Sequence, residues 1–493
     1  MFIYNNISIL KALFFTFGVL FFEDLKTMHR LKKTVDMTEG PFFKKMVVFA
    51  IPLIATGLLQ CLYNAADLVV VGQFRGEVAV AAVGSTGALT NLVLGLFMGL
   101  SVGAGVCVAH HIGAKEPEEV KKVVHTSMLL SAILGVVMGA FGFIMAEDLL
   151  RLMGTQSEPV DVLTPATLYL RIIFLGVPGS MIYNYAASMI RSAGDSKRPL
   201  IFLAISGIVN VVFNVVLVVV FGMGVEGVAI ATITSQYLSA AMAIVYLTKT
   251  SGPLKLSLKD LKISGAKVKK ILYIGIPSGI QGSLFSLSNV LIQSSINTFG
   301  DQVVAGSAAT ANIEGFVYIA MNAIYHVALT FIGQNVGARK FKNIKRITLY
   351  SAIIVTMVGF MCAAFVLTFR ELLINLYVDS PEAVEAAMMR LYIIIPTYFL
   401  CGLMDVFCGA LRALDRSVTA MVISLCGACG LRILWIATVF KVFTTPQSVY
   451  ISYPVSWMLT AACHLIFVII AAKKLMREDR EQREFLESSK KLI

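Results

Sequence analysis

Apolar residues fall in long runs parted by short polar breaks, and the pattern recurs twelve times. It predicts spans over residues 46–72, 80–109, 121–146, 160–190, 199–221, 225–248, 268–299, 303–335, 344–369, 384–411, 417–440 and 448–472. Each run reaches the roughly 20 apolar residues that cross a bilayer as a helix. The expected fold class is an all-α polytopic membrane protein with twelve transmembrane helices. An earlier apolar stretch, Ile7 to Phe22, is short for a span and carries Lys11 and Thr16. It has no small-residue cleavage site of a secretory leader. Residues 1–45 are therefore read as a cytoplasmic N-terminal extension.

The first span, within Ala50 to Gln73, organises the rest. It carries Asp67, and an ionisable residue inside a spanning helix is costly enough to mark a functional site. Gln60, Asn64 and Asp67 stand at i, i+4 and i+7, so they share one helix face. Gln60 by itself is served equally well by an ordinary interhelical contact.

Composition agrees with the spans: 57% of the 493 residues are hydrophobic and 14% charged, against about a quarter charged in soluble domains. A net charge of +12 would suit nucleic acid, but its distribution argues against that partner. Alternate breaks are basic. Counting charges near the ends of the runs with the loops they adjoin, the predicted inside segments hold 34 Lys and Arg and the outside loops 5, Arg390 among the latter, with Arg171 and Arg432 assigned to spans. Basic loops stay cytoplasmic, so the pattern predicts a multi-pass membrane protein with both termini inside. Cys426 and Cys429 form a C-x-x-C inside an apolar run, where a zinc ribbon would need a second pair.

The polar stretch from Thr250 to Ala266 divides the spans six and six. Motifs recur in order on either side. Ile51-Pro52 matches Ile276-Pro277, Gly113-Ala114-Lys115 matches Gly337-Ala338-Arg339, and Ile190-Arg191 matches Leu411-Arg412. An even repeat gives both halves one orientation, hence two six-helix bundles related by a pseudo-two-fold axis along the membrane normal. The expected organisation is an extension over 1–45, a first bundle over 46–250, a cytoplasmic linker over 251–266, a second bundle over 267–474 and a cytoplasmic tail over 475–493. Such repeats belong to alternating-access transporters, with one copy enclosing the path.

Polar residues inside the spans supply the candidate chemistry. Asn210 and Asn214 share a face of the fifth span, and Thr232 and Gln236 a face of the sixth. At ~1.5 Å per residue, Asp67, Asn214 and Thr232 reach a similar depth in the outer half. A carboxylate with amide and hydroxyl oxygens suits a proton or a sodium ion, a hard cation that prefers oxygen. In the second half, Asn289, Gln293 and Asn297 line one face of the seventh span, and Glu314, Tyr318, Asn322 and His326 one face of the eighth. Asp405 lies in the tenth and Arg432 in the eleventh. Glu314, Asp405 and Arg432 are opposite charges in neighbouring spans. They are expected to pair, as a structural bridge or as part of a substrate cavity. Pro52, Pro178, Pro277 and Pro396 interrupt four of the helices.

Four stretches then resemble a known family: A-D-L-V-V-V-G at the end of span one, M-I-R-S-A-G-D-S-K from Met189, N-V-V-F-N from Asn210, and G-V-E-G-V-A-I-A-T from Gly224. In this order they are similar to the multidrug and toxic compound extrusion (MATE) family, over nearly all of residues 40–475. The resemblance implies two bundles in a V and export of cationic, often aromatic compounds in exchange for protons or sodium. It implies Asp67 as coupling residue and Asn210, Asn214 and Thr232 as its companions. Two departures stand out. Leu284 to Ser288 carries no acid where some sodium-coupled relatives have a glutamate, and their aspartate of span ten would fall near Cys401. The Glu314, His326, Asp405 and Arg432 set looks more like a Gram-positive gut-bacterial subgroup.

The expected function is thus secondary efflux of small amphipathic cations, without a cofactor beyond the coupling ion. A flippase for lipid-linked sugars is the alternative, disfavoured by the scarcity of Lys and Arg within the spans. An enzyme would need a convergent catalytic set such as H-E-x-x-H, and the sequence has none.

Overall fold

A computed structural model describes residues 35–155 and 161–491. Most of the expected N-terminal extension lies outside the described residues. Twelve long helices follow. The first two, α1 (Phe42–Gly76) and α2 (residues 77–113), form one path broken at Gly76 alone, whose φ of 77° only glycine adopts freely. The first half continues with α3 (Pro117–Leu152), α4 (Leu163–Ser192), α5 (Lys197–Val220) and α6 (Val225–Lys249). The second half is α7 (Gly265–Ile296), α8 (Asp301–Gly337), α9 (Phe341–Thr368), α10 (Pro381–Ala413), α11 (Ser417–Val442) and α12 (Pro446–Lys491). Eleven helices meet the length and apolarity of a span. The other, α7, has 32 residues, about 48 Å of helix at ~1.5 Å per residue.

Lipid explains the surface. Val136, Val137, Phe141 and Ile144 of α3 are exposed, as are Phe360, Met361 and Phe365 of α9. Water would penalise such faces, but hydrocarbon does not. Helices then associate by close packing rather than by water exclusion. Gly135 and Gly139 of α3 bring its backbone onto Phe174 and Pro178 of α4, where an added Cβ would overlap backbone atoms. The polar linker after α6 is tied down by hydrogen bonds: His125 accepts from Ser257 N at 2.9 Å, and Thr126 Oγ1 from Ser264 N at 3.1 Å.

The internal repeat is visible in backbone detail. After α2 the chain turns at Lys115 (φ 58°), and after α8 at Arg339 (φ 55°). After α4 it turns at Gly194 (φ 96°), and after α10 at Asp415 (φ 61°). Asp195 N donates to Ile190 O, and Arg416 N to Leu411 O, closing the two later turns alike. A left-handed conformation in a residue with a Cβ costs about 1–2 kcal/mol, yet three of these four positions accept it.

The halves also meet reciprocally at the end that bears the basic loops. A Cβ on Gly113 would strike Gln334 O, and one on Gly337 would strike His110 O. His110 and Gln334 each precede their glycine by three residues. Each also bonds the opposite half: His110 Nε2 donates to Ala413 O and Gln334 Nε2 to Ser192 O, both at 2.8 Å. Residue i touching j′ while i′ touches j is the signature of a two-fold interface. From this crossing, α2 packs along α7, with Gly103 on Ile271 O and Gly99 on Gly279. Towards the other end α1 exposes Asn64, Leu68 and Phe74, α2 Val78, and α7 Asn289 and Val290. The reciprocal contacts between the bundles are gathered at the basic end.

Two helices contain π turns, Val216–Val220 in α5 and Leu425–Gly430 in α11. The first follows Asn214 closely, and the second ends just before Arg432.

Gly337→Val should force α8 off His110. Overpacking of about 1–3 kcal/mol should appear as a lower thermal midpoint of the purified protein. Gly84→Ala, where nothing lies within 4 Å of the new Cβ, should leave that midpoint unchanged or slightly higher.

Candidate functional site

Asp67 sits on α1, nine residues before the Gly76 break, and its side chain turns inward to α5 and α6. It is 7% exposed. Asn214 Nδ2 donates to its Oδ1 in a short hydrogen bond, and Thr232 Oγ1 lies 3.2 Å from its Oδ2. Asn210 joins them, donating to Thr232 Oγ1 at 3.5 Å and accepting from Asn214 Nδ2 at 3.4 Å. The i, i+4 spacing on α5 makes this possible, because both amides face one side of the helix. No cationic side chain within 4.0 Å matches Asp67 among the described residues. Its partners are neutral, so the cluster keeps its negative charge whenever the carboxyl is ionised. Asn214 Oδ1 is buried without a hydrogen-bond donor. Carboxylate, amide and hydroxyl oxygens converging in this way have the chemistry to hold a small monovalent cation, to which the unmatched Asn214 oxygen could add.

The second half surrounds a cavity of about 510 Å³. Asn289 and Gln293 of α7, Glu314 and Tyr318 of α8, Asp405 of α10 and Arg432 of α11 line it. The expected pairing of Arg432 with Glu314 or Asp405 is not what forms. Glu314 accepts from Arg390 of α10 in a two-pronged bridge, Nε at 2.7 Å and Nη2 at 2.8 Å. Arg390 Nη1 also donates to Ser307 at 2.6 Å. The charge count over loops had placed Arg390 outside the spans, but it is buried in α10. Asp405 keeps a buried Oδ2 without a donor.

The remaining candidates lie elsewhere. Gln60 and Asn64 are exposed on α1. Gln236 of α6 is half-buried beside Gly176 of α4. Asn322 approaches Tyr318 at 3.4 Å, and His326 stacks edge-on with Tyr325. None of these five lines the second-half cavity. Besides Arg390, the sequence reading missed an aromatic wall of Tyr398, Tyr453 and Trp457, in edge contacts at 5.1 and 5.7 Å. A strict listing of every charge inside the apolar runs would have found Arg390. The aromatic wall leaves no such mark, because rings are common throughout the spans.

Arg390→Met should strand Glu314 in the bundle. Removing one partner of a buried pair costs about 3–5 kcal/mol, read as a large drop in the thermal midpoint. The double variant Glu314→Gln with Arg390→Met should be more stable than Arg390→Met alone. A double variant no better than the single would mean the bridge does not hold this bundle together.

With this geometry in place, comparison with known proteins is decisive on family. The MatE family model matches residues 52–216 and 277–438, once in each half. The chain is 27% identical over 447 residues to the probable multidrug resistance protein YoeA of Bacillus subtilis, covering 89% of this chain and 94% of the relative. It is 24% identical to the probable multidrug resistance protein NorM of Thermotoga maritima, covering 77% and 82%. It is 23% identical to an FAD transporter of Shewanella oneidensis, covering 80% and 88%. A solved outward-facing MATE transporter of the MOP superfamily superposes with a TM-score of 0.84 at 22% identity, over 90% of this chain and 99% of the other. The chain is a multi-pass membrane protein that belongs to the MATE family of efflux transporters.

Proposed function

We propose that this protein is an antiporter that expels organic cations in exchange for protons or sodium ions, with Asp67 as the coupling carboxylate. The observation that carries this reading is the partner set of Asp67: the Asn214 amide and the Thr232 hydroxyl, backed by the Asn210 amide that bonds both, with no cationic partner among the described residues. A structural carboxylate inside a bundle is ordinarily matched by a basic side chain, as Glu314 is by Arg390. Asp67 is instead held ready for a charge that comes and goes. Asn210, Asn214 and Thr232 would complete the ion site. A proton would turn the carboxyl into a donor, and Asn214 Oδ1 is the acceptor without a partner. A sodium ion would take the same oxygens.

Coupling follows from competition. The coupling ion neutralises the cluster, and a substrate cation is drawn to it only when it is empty. Each ligand biases the transporter only by its differential affinity for the two facing states. The basic end is read as cytoplasmic, so the α2–α8 crossing would seal the path on the side of the cell interior. One copy contains the whole path. Relatives named as multidrug resistance and export proteins support the broad substrate class.

The test is dye efflux from proteoliposomes under imposed ion gradients. Asp67→Asn should lower exchange at least tenfold while membrane insertion and thermal midpoint stay close to wild type. Collapse by a protonophore but not by sodium removal selects the proton, and the reverse selects sodium. Wild-type exchange by Asp67→Asn would remove the coupling role.

A further inference from the structure

The cavity of the second half contains a cationic side chain that no carboxylate pairs among the described residues. Arg432 is 7% exposed and lines this cavity. Its Nε donates to Ser456 Oγ at 2.9 Å. Its guanidinium lies over Tyr453 at 4.2 Å and Trp457 at 5.5 Å. Among the described residues, neither terminal nitrogen has a hydrogen-bond acceptor, and no carboxylate lies within 4.0 Å. Arginine stays protonated in proteins, so the charge cannot be relieved by losing a proton. Ring contacts offset only part of the cost of burying it.

The other charges of the cavity are already placed. Glu314 and Arg390 cancel each other in their two-pronged bridge. Asp405 has not closed onto Arg432, although both face the cavity. Arg432 therefore presents two parallel N–H donors, the geometry that a carboxylate accepts two-pronged. Beside them stands a wall of Tyr398, Tyr453 and Trp457. The volume of about 510 Å³ lies in the roughly 300–1,000 Å³ range of small-molecule sites.

We propose that this cavity is a recognition subsite for a flat aromatic carboxylate, with Arg432 binding the carboxylate and the aromatic wall taking the ring. A phosphate-bearing ligand fits less well, since the unmatched Asp405 carboxylate would repel a second negative charge. A ligand that also carries an ammonium would satisfy Asp405 at the same time. Ser456 is a positioning residue that fixes the plane of the guanidinium. The subsite deepens the efflux reading above by adding carboxylated aromatics to the compounds handled, and it lies on the half that lacks Asp67.

Trp457 provides a local reporter, as one of only two tryptophans in the chain. The probes are 2-anthracenecarboxylate and its neutral carboxamide, both of which accept energy from tryptophan. Binding is measured on the full-length protein in nanodiscs. The wild type should bind the carboxylate at least tenfold more tightly than the carboxamide. Arg432→Gln should abolish that gap, Arg432→Lys should keep part of it, and Ser456→Ala should narrow it. Equal affinity of the wild type for the two probes would overturn the proposal, whether or not the variants fold. So would a gap that survives in a folded Arg432→Gln. A gap that depends on Arg432 in a protein that moves no dye under any ion gradient would leave this subsite standing and remove the efflux reading.

Discussion

Charge placed inside a spanning bundle has to be answered from within that bundle, because neither lipid nor bulk water is there to do it. The two halves of this chain solve the problem differently. In the first, Asp67 is solvated by side-chain dipoles alone, from Asn214 and Thr232, and the cluster stays one negative charge out of balance. In the second, Glu314 is neutralised by Arg390, and one further charge of each sign is left facing a cavity. The pseudo-two-fold backbone is shared, but the electrostatics are not. One scaffold thus carries an unpaired acid in one half and, in the other, a cavity faced by a guanidinium that no carboxylate bridges among the described residues.

The backbone symmetry is strict where the halves touch. The reciprocal contacts of Gly113 with Gln334 and Gly337 with His110 leave no room for a side chain at either glycine. Divergence is concentrated deeper along the helices, where Asn214 and Arg432 sit beside their π turns. Contact between repeats constrains the frame, and the interior of each bundle is free to specialise.

Much of this was legible in the sequence because it rests on long-range regularities. Twelve apolar runs, alternating loop charge and an ordered set of repeated motifs all report the bilayer and the repeat. The Asp67 cluster was legible too, since helix periodicity and rise bring Asn210, Asn214 and Thr232 to its depth. The second half was harder. Which acid meets which base depends on helix rotation, and periodicity does not give the rotation of one helix against its neighbour. Of Arg432 and Arg390, Glu314 took the one that the loop count had set aside. The straightforward break expected between the first two spans is a single glycine, a distinction that apolar patterning cannot make.

The π turns carry one more consequence. A π turn holds one residue more than the α-helical repeat, so it stores a register step within an otherwise unbroken helix. If it is annealed or moves along the helix, the segment beyond it rotates by about 100° and shifts by about 1.5 Å. In α11 the side chain carried by that step is Arg432, whereas in α5 the turn follows Asn214 and re-aims it only by moving back along the helix past it. Each half therefore has, next to its charged centre, a helix that can re-aim one key side chain without unwinding or breaking its spanning hydrogen-bond ladder.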